Sequence, residues 1–172
     1  MPGWKRGWPV TQEFDRAEQD VIDTVKRVGW QVKLIISGEN DDPNLPPFAY
    51  TVGLAVTFGW PELICFGLRT EYLGQVINNA VAELKSKGQV PAPGVQLDQV
   101  LERGPVRLVE FSPSLYREHL GWAIWFAASQ GLTPRQFSCL QVHWPDKAGR
   151  FPDDPACDLG ARECQSPTGR LQ

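Results

Sequence analysis

Two turn motifs carry the residue types best suited to chemistry. One is Trp144-Pro145-Asp146 followed by Gly149-Arg150, and the other is Trp60-Pro61-Glu62. Asp146 can accept backbone hydrogen bonds within its own turn. Arg150 offers a planar fork to a carboxylate or phosphate. Trp144, Trp60 and Phe151 supply an apolar wall, and polar groups converging beside aromatics are how small-ligand pockets are lined. Glu62 has two readings of equal weight. It is a general base or an anion partner of Arg150, or it caps backbone N–H groups in a tight turn; a carboxylate among so many apolar neighbours requires a partner or water. Arg69-Thr70-Glu71 marks a strand-to-helix junction, where free N–H groups and the helix dipole attract phosphate or carboxylate. That junction lacks a glycine-rich run, so an ordinary N-cap at Thr70 is the plainer reading. Tyr50 and Thr51 are strand neighbours and point to opposite faces, so the two hydroxyls do not serve one site. The candidate binding set is Tyr50, Trp60, Glu62, Arg69, Thr70, Trp144, Asp146 and Arg150, with no catalytic residue assigned.

Other signatures are missing. The chain has no G-x-S-x-G, H-E-x-x-H or G-x-G-x-x-G, which removes support for the common hydrolase, metalloprotease and dinucleotide readings. Its two histidines are His119, expected on a buried helix, and His143, on a strand with Cys139 four residues earlier. Ligands that far apart along a strand do not share an ion unaided, at about 3.3 Å per residue, so no metal is expected. Among the four cysteines, Cys65 and Cys139 lie in apolar runs and read as inert buried thiols. The spacing of Cys157 and Cys164 fits no metal or redox motif, and two unpaired thiols are expected there. Residues 38–47 hold Glu39, Asp41 and Asp42, but their spacing is not that of a calcium loop, and a solvated hairpin loop is the simpler reading.

Composition sets the bounds. With 172 residues, 42% hydrophobic and 22% charged, the chain suits one globular domain. A net charge of −3 with scattered lysines and arginines argues against a nucleic-acid partner. No signal peptide is expected from the first ten residues, and no apolar window approaches the ~20 residues of a membrane span. The expectation is a cytoplasmic protein without membrane contact, which a homodimer would also fit. Its partner would be a small molecule or another protein.

The elements that must position these residues follow from pattern. Residues 1–10 read as an arm, 11–152 as the domain and 153–172 as a poorly ordered tail. A helix is predicted from an N-cap at Thr11 to Gly29, with Phe14, Ala17, Val21, Ile22, Val25 and Val28 at helical spacing. A strand follows at 30–37, then two apolar runs of strand length, 48–58 and 63–68, joined by a turn at 59–62. Thr70 to Lys87 is the clearest helix. Leu97–Leu101 reads as one helical turn, 106–111 as a strand, 112–130 as a third, largely apolar helix, and 137–144 as the last strand. This order predicts an α+β fold, a largely antiparallel sheet of about five strands covered on one side by about three helices.

Three pieces of the sequence also carry a resemblance. They are Gly29-Trp30; the block from Phe48-Ala49-Tyr50-Thr51-Val52-Gly53-Leu54 through Phe58-Gly59-Trp60-Pro61-Glu62-Leu63 to Phe66-Gly67-Leu68; and Leu140-Gln141-Val142-His143-Trp144-Pro145-Asp146 with Gly149-Arg150-Phe151-Pro152. Together they resemble a bacterial family catalogued as domain of unknown function 4262. The family pattern often has histidines near the positions of Val56 and Trp60 and a tryptophan after Pro152, where this chain has Asp153. The resemblance implies an intact fold and no particular reaction or cofactor. The leading expectation is a ligand-binding or protein-interaction module with an aromatic and arginine-lined face near Trp60, Trp144 and Arg150. The alternative is a small enzyme using a flavin or another phosphate-bearing ligand at Arg69 and Thr70.

Overall fold

Apolar residues alternate along the central strands on both faces, so both faces need cover. The computed structural model describes residues 13–36 and 45–168. Helix α1 (Arg16–Val28) leads into β1 (Gln31–Ile35) and β2 (Phe48–Val52). The short α2 (Leu54–Phe58) then precedes β3 (Glu62–Phe66), and α3 (Thr70–Lys87) follows it. A hairpin of β4 (Gln96–Leu101) and β5 (Gly104–Glu110) leads to α4 (Tyr116–His119), α5 (Gly121–Ser129), β6 (Cys139–His143) and α6 (Leu159–Cys164). The fold is α+β, with a six-stranded mixed sheet in the order β1-β2-β3-β6-β5-β4. Every neighbouring pair is antiparallel except β3 and β6, which run parallel with Glu62 opposite Cys139.

Helices cover both faces, not the single face expected. On one, Leu73, Val76, Ile77, Ala80, Val81 and Leu84 of α3 pack with Ala161 of α6 on Ala49, Leu63, Cys65, Leu108 and Val142. On the other, Val21, Ile22 and Val25 of α1 and Ala123, Trp125 and Phe126 of α5 pack on Tyr50, Val52, Ile64 and Phe66. All five residues of β3 are buried, as expected of a strand enclosed from both sides. Among the described residues no helix is long and apolar enough to cross a membrane.

Several boundaries differ from the sequence expectation, each for a local reason. The start of α1 is capped by Asp15, which forms a capping box with Glu18; Thr11 lies outside the described residues, as do the arm at 1–10 and the acidic loop residues 38–44. The apolar run 48–58 is not one strand. At Gly53 the backbone takes φ 107°, and a Cβ there would fall 2.7 Å from Val25 Cγ1, so the chain leaves the sheet and turns into α2. Leu97–Leu101 belongs to β4 and not to a helical turn, since Leu97 pairs with Val106. The third helix is interrupted at Leu120 (φ −109°, ψ 30°), where α4 gives way to α5. The segment expected to be a poorly ordered tail contains α6, and Gln165 just beyond it is 2% exposed.

Glu62 joins β2, α2 and β3. Its carboxylate is 1% exposed and accepts the amides of Gly53 (3.1 Å), Leu54 (3.2 Å) and Ala55 (3.1 Å) together with the Thr51 hydroxyl. Thr51 Oγ1 in turn accepts Leu63 N at 2.9 Å. These amides are the unpaired donors at the start of α2, so the capping reading of Glu62 holds. The pairing with Arg150 does not: the Arg150 guanidinium donates instead to the Ala156 carbonyl. Burial pushes the Glu62 carboxyl up to about 7, outweighing the hydroxyl and amide donors that draw it down.

Two predictions follow from this packing. A carboxyl with a raised folded pKa contributes most stability below its unfolded value of 4.5, and that contribution is lost as pH rises through about 7. The stability of the native protein minus that of Glu62→Gln therefore falls by about 3 kcal/mol between about pH 4 and about pH 8, read by urea unfolding. A difference that grows with pH would show instead that the ionised form is the more stable one in the fold. The second concerns Gly67, which has φ 84° and no room for a Cβ against the Cys164 carbonyl at the end of α6. Gly67→Ala is expected to cost about 2 kcal/mol or more, with amide exchange in α6 rising more than in α3.

Candidate functional site

After β6 the chain makes a tight turn organised by one side chain. Pro145, which has no N–H, ends the strand pairing, and Asp146 N donates to Arg150 O at 2.8 Å. The Asp146 carboxylate accepts Ala148 N and Arg150 N, both at 2.9 Å, through Oδ1, and Asp158 N at 2.8 Å through Oδ2. One carboxylate thus closes the turn and ties it to the residue that caps α6. The amides of Arg150 and Asp158 are the main reason its pKa lies below the ordinary aspartate value. Asp158 caps α6 by accepting Ala161 N at 3.0 Å.

Trp144 is held between β3 and the residue after α6. Its indole N–H donates to Phe66 O at 2.8 Å, and its backbone N and O both bond the buried Gln165 side chain at 2.9 Å. Gln165 Nε2 also donates to Ala161 O at 3.0 Å, and the Gln165 backbone carbonyl accepts from Gln141 Nε2 at 2.7 Å. These bonds fix the outer wall relative to the sheet.

Between the turn and α6 lies a cleft of about 570 Å³. Trp144, Asp146 and Arg150, all singled out from sequence, line it together. Lys147 and Ala148 join them from the turn, Ala156, Asp158, Ala161 and Cys164 from the α6 side, and Arg103 from the β4–β5 hairpin. The hairpin abuts the turn: Gly104 has φ 146°, and a Cβ there would meet Pro145 Cγ at 3.8 Å. Among the described residues neither Arg103 nor Lys147 has an ion-pair partner, the pairs being Lys87–Glu83 and Arg107–Asp153. Arg150 Nη1 donates to Ala156 O at 2.8 Å, which steadies the guanidinium and leaves its other N–H groups unassigned. A smaller hollow of about 340 Å³ shares Arg150 and is lined by Arg107, Phe151, Asp153 and Asp154. Arg107 lies over the Phe151 ring at 4.4 Å and pairs with Asp153. Beside it, burial followed by the Arg107 charge draws His143 down to about 4, so its imidazole is neutral at neutral pH.

The remaining sequence candidates lie elsewhere. Tyr50 is 1% exposed on the opposite face of the sheet, where its oxygen accepts Trp122 N at 3.2 Å; burial pushes its hydroxyl up to about 12. Trp60 stacks on Phe58 at 4.6 Å. Thr70 is not the N-cap of α3. Arg69 holds that position without a side-chain cap, and the Thr70 hydroxyl meets Glu71 Oε2 at 3.3 Å. All four cysteines are unpaired. Burial drives Cys65 up to about 12 and Cys139 well above its usual value, so both thiols stay protonated. Sequence reasoning missed Arg103, Lys147 and the α6 residues. Lys147 sits inside the turn that was recognised, whereas Arg103 was detectable only as the tip of a hairpin whose first strand reads as helical.

If Asp146 is the clasp of this site, Asp146→Ala should release three amides at once. Amide exchange at Ala148, Arg150 and Asp158 is expected to accelerate, while that of β2 and β3 stays unchanged. Equal protection in the variant would mean that the backbone alone holds the turn.

The comparisons bear on kinship and not on chemistry. No curated protein and no solved structure matches the chain. A family model described as "Domain of unknown function (DUF4262)" matches residues 24–158, which spans the six strands, α2 to α5 and the turn that carries Asp146. The chain belongs to the DUF4262 family.

Proposed function

We propose that this protein is a small-molecule-binding module whose site is the cleft between the Asp146 turn and α6. The supporting observation is the convergence of Trp144, Asp146 and Arg150 with Arg103 on one concavity of about 570 Å³. Its size falls within the range usual for small-ligand sites, and its parts are fixed in advance by the Asp146, Gln165 and Trp144 hydrogen bonds. A site held by hydrogen bonds between three separate segments loses little entropy when a ligand arrives. Trp60 is not part of it, since it does not line the cleft and stacks on Phe58.

The alternative reading, an enzyme holding a flavin or other phosphate-bearing ligand at Arg69 and Thr70, has weaker support. The Glu71 carboxylate occupies the first turn of α3 and would repel a phosphate there. Neither Arg69 nor Thr70 lines the cleft.

Ala148 is exposed on the cleft lining and provides the test. Native mass spectra of protein equilibrated with a small-molecule extract are expected to show a retained mass that Ala148→Trp abolishes while the circular dichroism stays unchanged. Equal retention by both proteins would place binding outside this cleft.

A further inference from the structure

The charges around the cleft are unevenly committed. Its carboxylates, Asp146 and Asp158, face backbone amides: Asp146 accepts three and Asp158 accepts Ala161 N. Its cations are freer. Arg103 and Lys147 are exposed and have no ion-pair partner among the described residues, and Arg150 is anchored through a single N–H. Three cationic side chains from two separate segments therefore line one concavity in a chain whose net charge is −3. Cations outnumber carboxylates three to two on this lining and hold the uncommitted donors; a local excess of one sign draws a ligand of the opposite sign, and guanidinium groups are suited to paired oxygens.

Position strengthens the point. Arg103 projects from the hairpin that Gly104 brings against Pro145, and Lys147 and Arg150 come from the turn that Asp146 closes. The same Asp146 carboxylate that fixes the turn directs its oxygens at amides and also feels the Arg150 charge, but it forms no ion pair with Arg103 or Lys147 among the described residues. On the α6 side Ala156 and Ala161 add apolar surface beside Asp158 and Cys164, and Trp144 adds more from the end of β6.

We propose that the cleft takes a small molecule by an anionic oxygen-bearing head, a phosphate monoester or a carboxylate, with Arg103, Lys147 and Arg150 holding the head and the apolar surface holding the body. This rests on the cleft being the binding site and adds the class of ligand. Lys147 and Arg103 select the charge, whereas Trp144 and Ala161 limit the shape.

The test uses the full chain, labelled with nitrogen-15, and three probes of similar size: phenyl phosphate, benzoate and neutral benzyl alcohol. Phenyl phosphate or benzoate is expected to shift the amides of Lys147, Ala148 and Arg150 and the Trp144 indole, and benzyl alcohol is not. Whichever anion binds more tightly identifies the head group. The double variant Arg103→Ala with Lys147→Ala, whose side chains make no structural hydrogen bond among the described residues, should weaken the anion about tenfold. Raising salt from about 50 mM to about 500 mM should weaken it further. Benzyl alcohol shifting the same signals as strongly would overturn the anion proposal and leave the cleft as a binding site. Silence from all three probes, or anion binding unchanged in the double variant, would overturn it as well, and the extract experiment with Ala148→Trp would then decide on the cleft itself.

Discussion

A buried carboxylate with no ion-pair partner among the described residues is the constraint on which the centre of this fold depends. Glu62 opens β3, the strand whose parallel pairing with β6 joins the two antiparallel halves of the sheet. An ionised or neutral carboxyl in that position is costly unless its oxygens are engaged, and the engagement dictates the chain's path. Gly53, Leu54 and Ala55 can present their amides to it only because the backbone turns at Gly53 into α2. Thr51 completes the set by donating to Glu62 and accepting from Leu63, so β2 and β3 are bonded through side chains where their ladder ends. Removing any one of these groups leaves the others with unmet donors or acceptors.

A second carboxylate repeats the device at the other end of β6. Asp146 collects amides from its own turn and from the start of α6, as Glu62 collects those of α2. The two differ in environment, and this separates their titration. Desolvation dominates at Glu62 and raises its pKa, whereas the amides dominate at Asp146 and lower it. A carboxylate that stays charged at neutral pH is the more dependable clasp, and at Asp146 three amides offset the cost of that charge.

Much of the scaffold was legible because its signals are periodic. The apolar stripe of α3 and the Gly88 that ends it are both in the sequence, and φ 59° at Gly88 agrees with the left-handed residue such an end requires. The strands β1, β2, β3, β5 and β6 could be read from apolar runs and alternation. What escaped was set by contacts distant in sequence. Gly53 ends a run that looks like one strand, and its reason is Val25 on the neighbouring helix. β4 buries only Leu97 and Val100 and so carries too little alternation to distinguish it from a helical turn. In α6, a six-residue helix in a segment rich in proline, aspartate and glycine, order comes from Gln165 bonding Trp144 and from Gly67 admitting the Cys164 carbonyl. For the cleft, Trp144, Asp146 and Arg150 were readable as one motif, but Arg103 enters only through the sheet order that places β5 beside β6.

That division has a consequence for how specificity arises on this scaffold. Three residues carry the family resemblance and also line the cleft; Arg150 is anchored through one N–H, whereas internal hydrogen bonds engage Trp144 and Asp146. The latter two shape the concavity and have little capacity left to read a ligand. Exposed side chains at Arg103 and Lys147, outside those motif positions, have that capacity. Single exposed charges act weakly and are screened within about 10 Å, so neither suffices alone. On the proposed reading, selectivity would come from three cations acting together on one head group beside the apolar surface of the cleft. If the cleft is the binding site, substitution at the exposed Arg103 and Lys147 would alter the ligand without disturbing Glu62, Asp146 or Gln165.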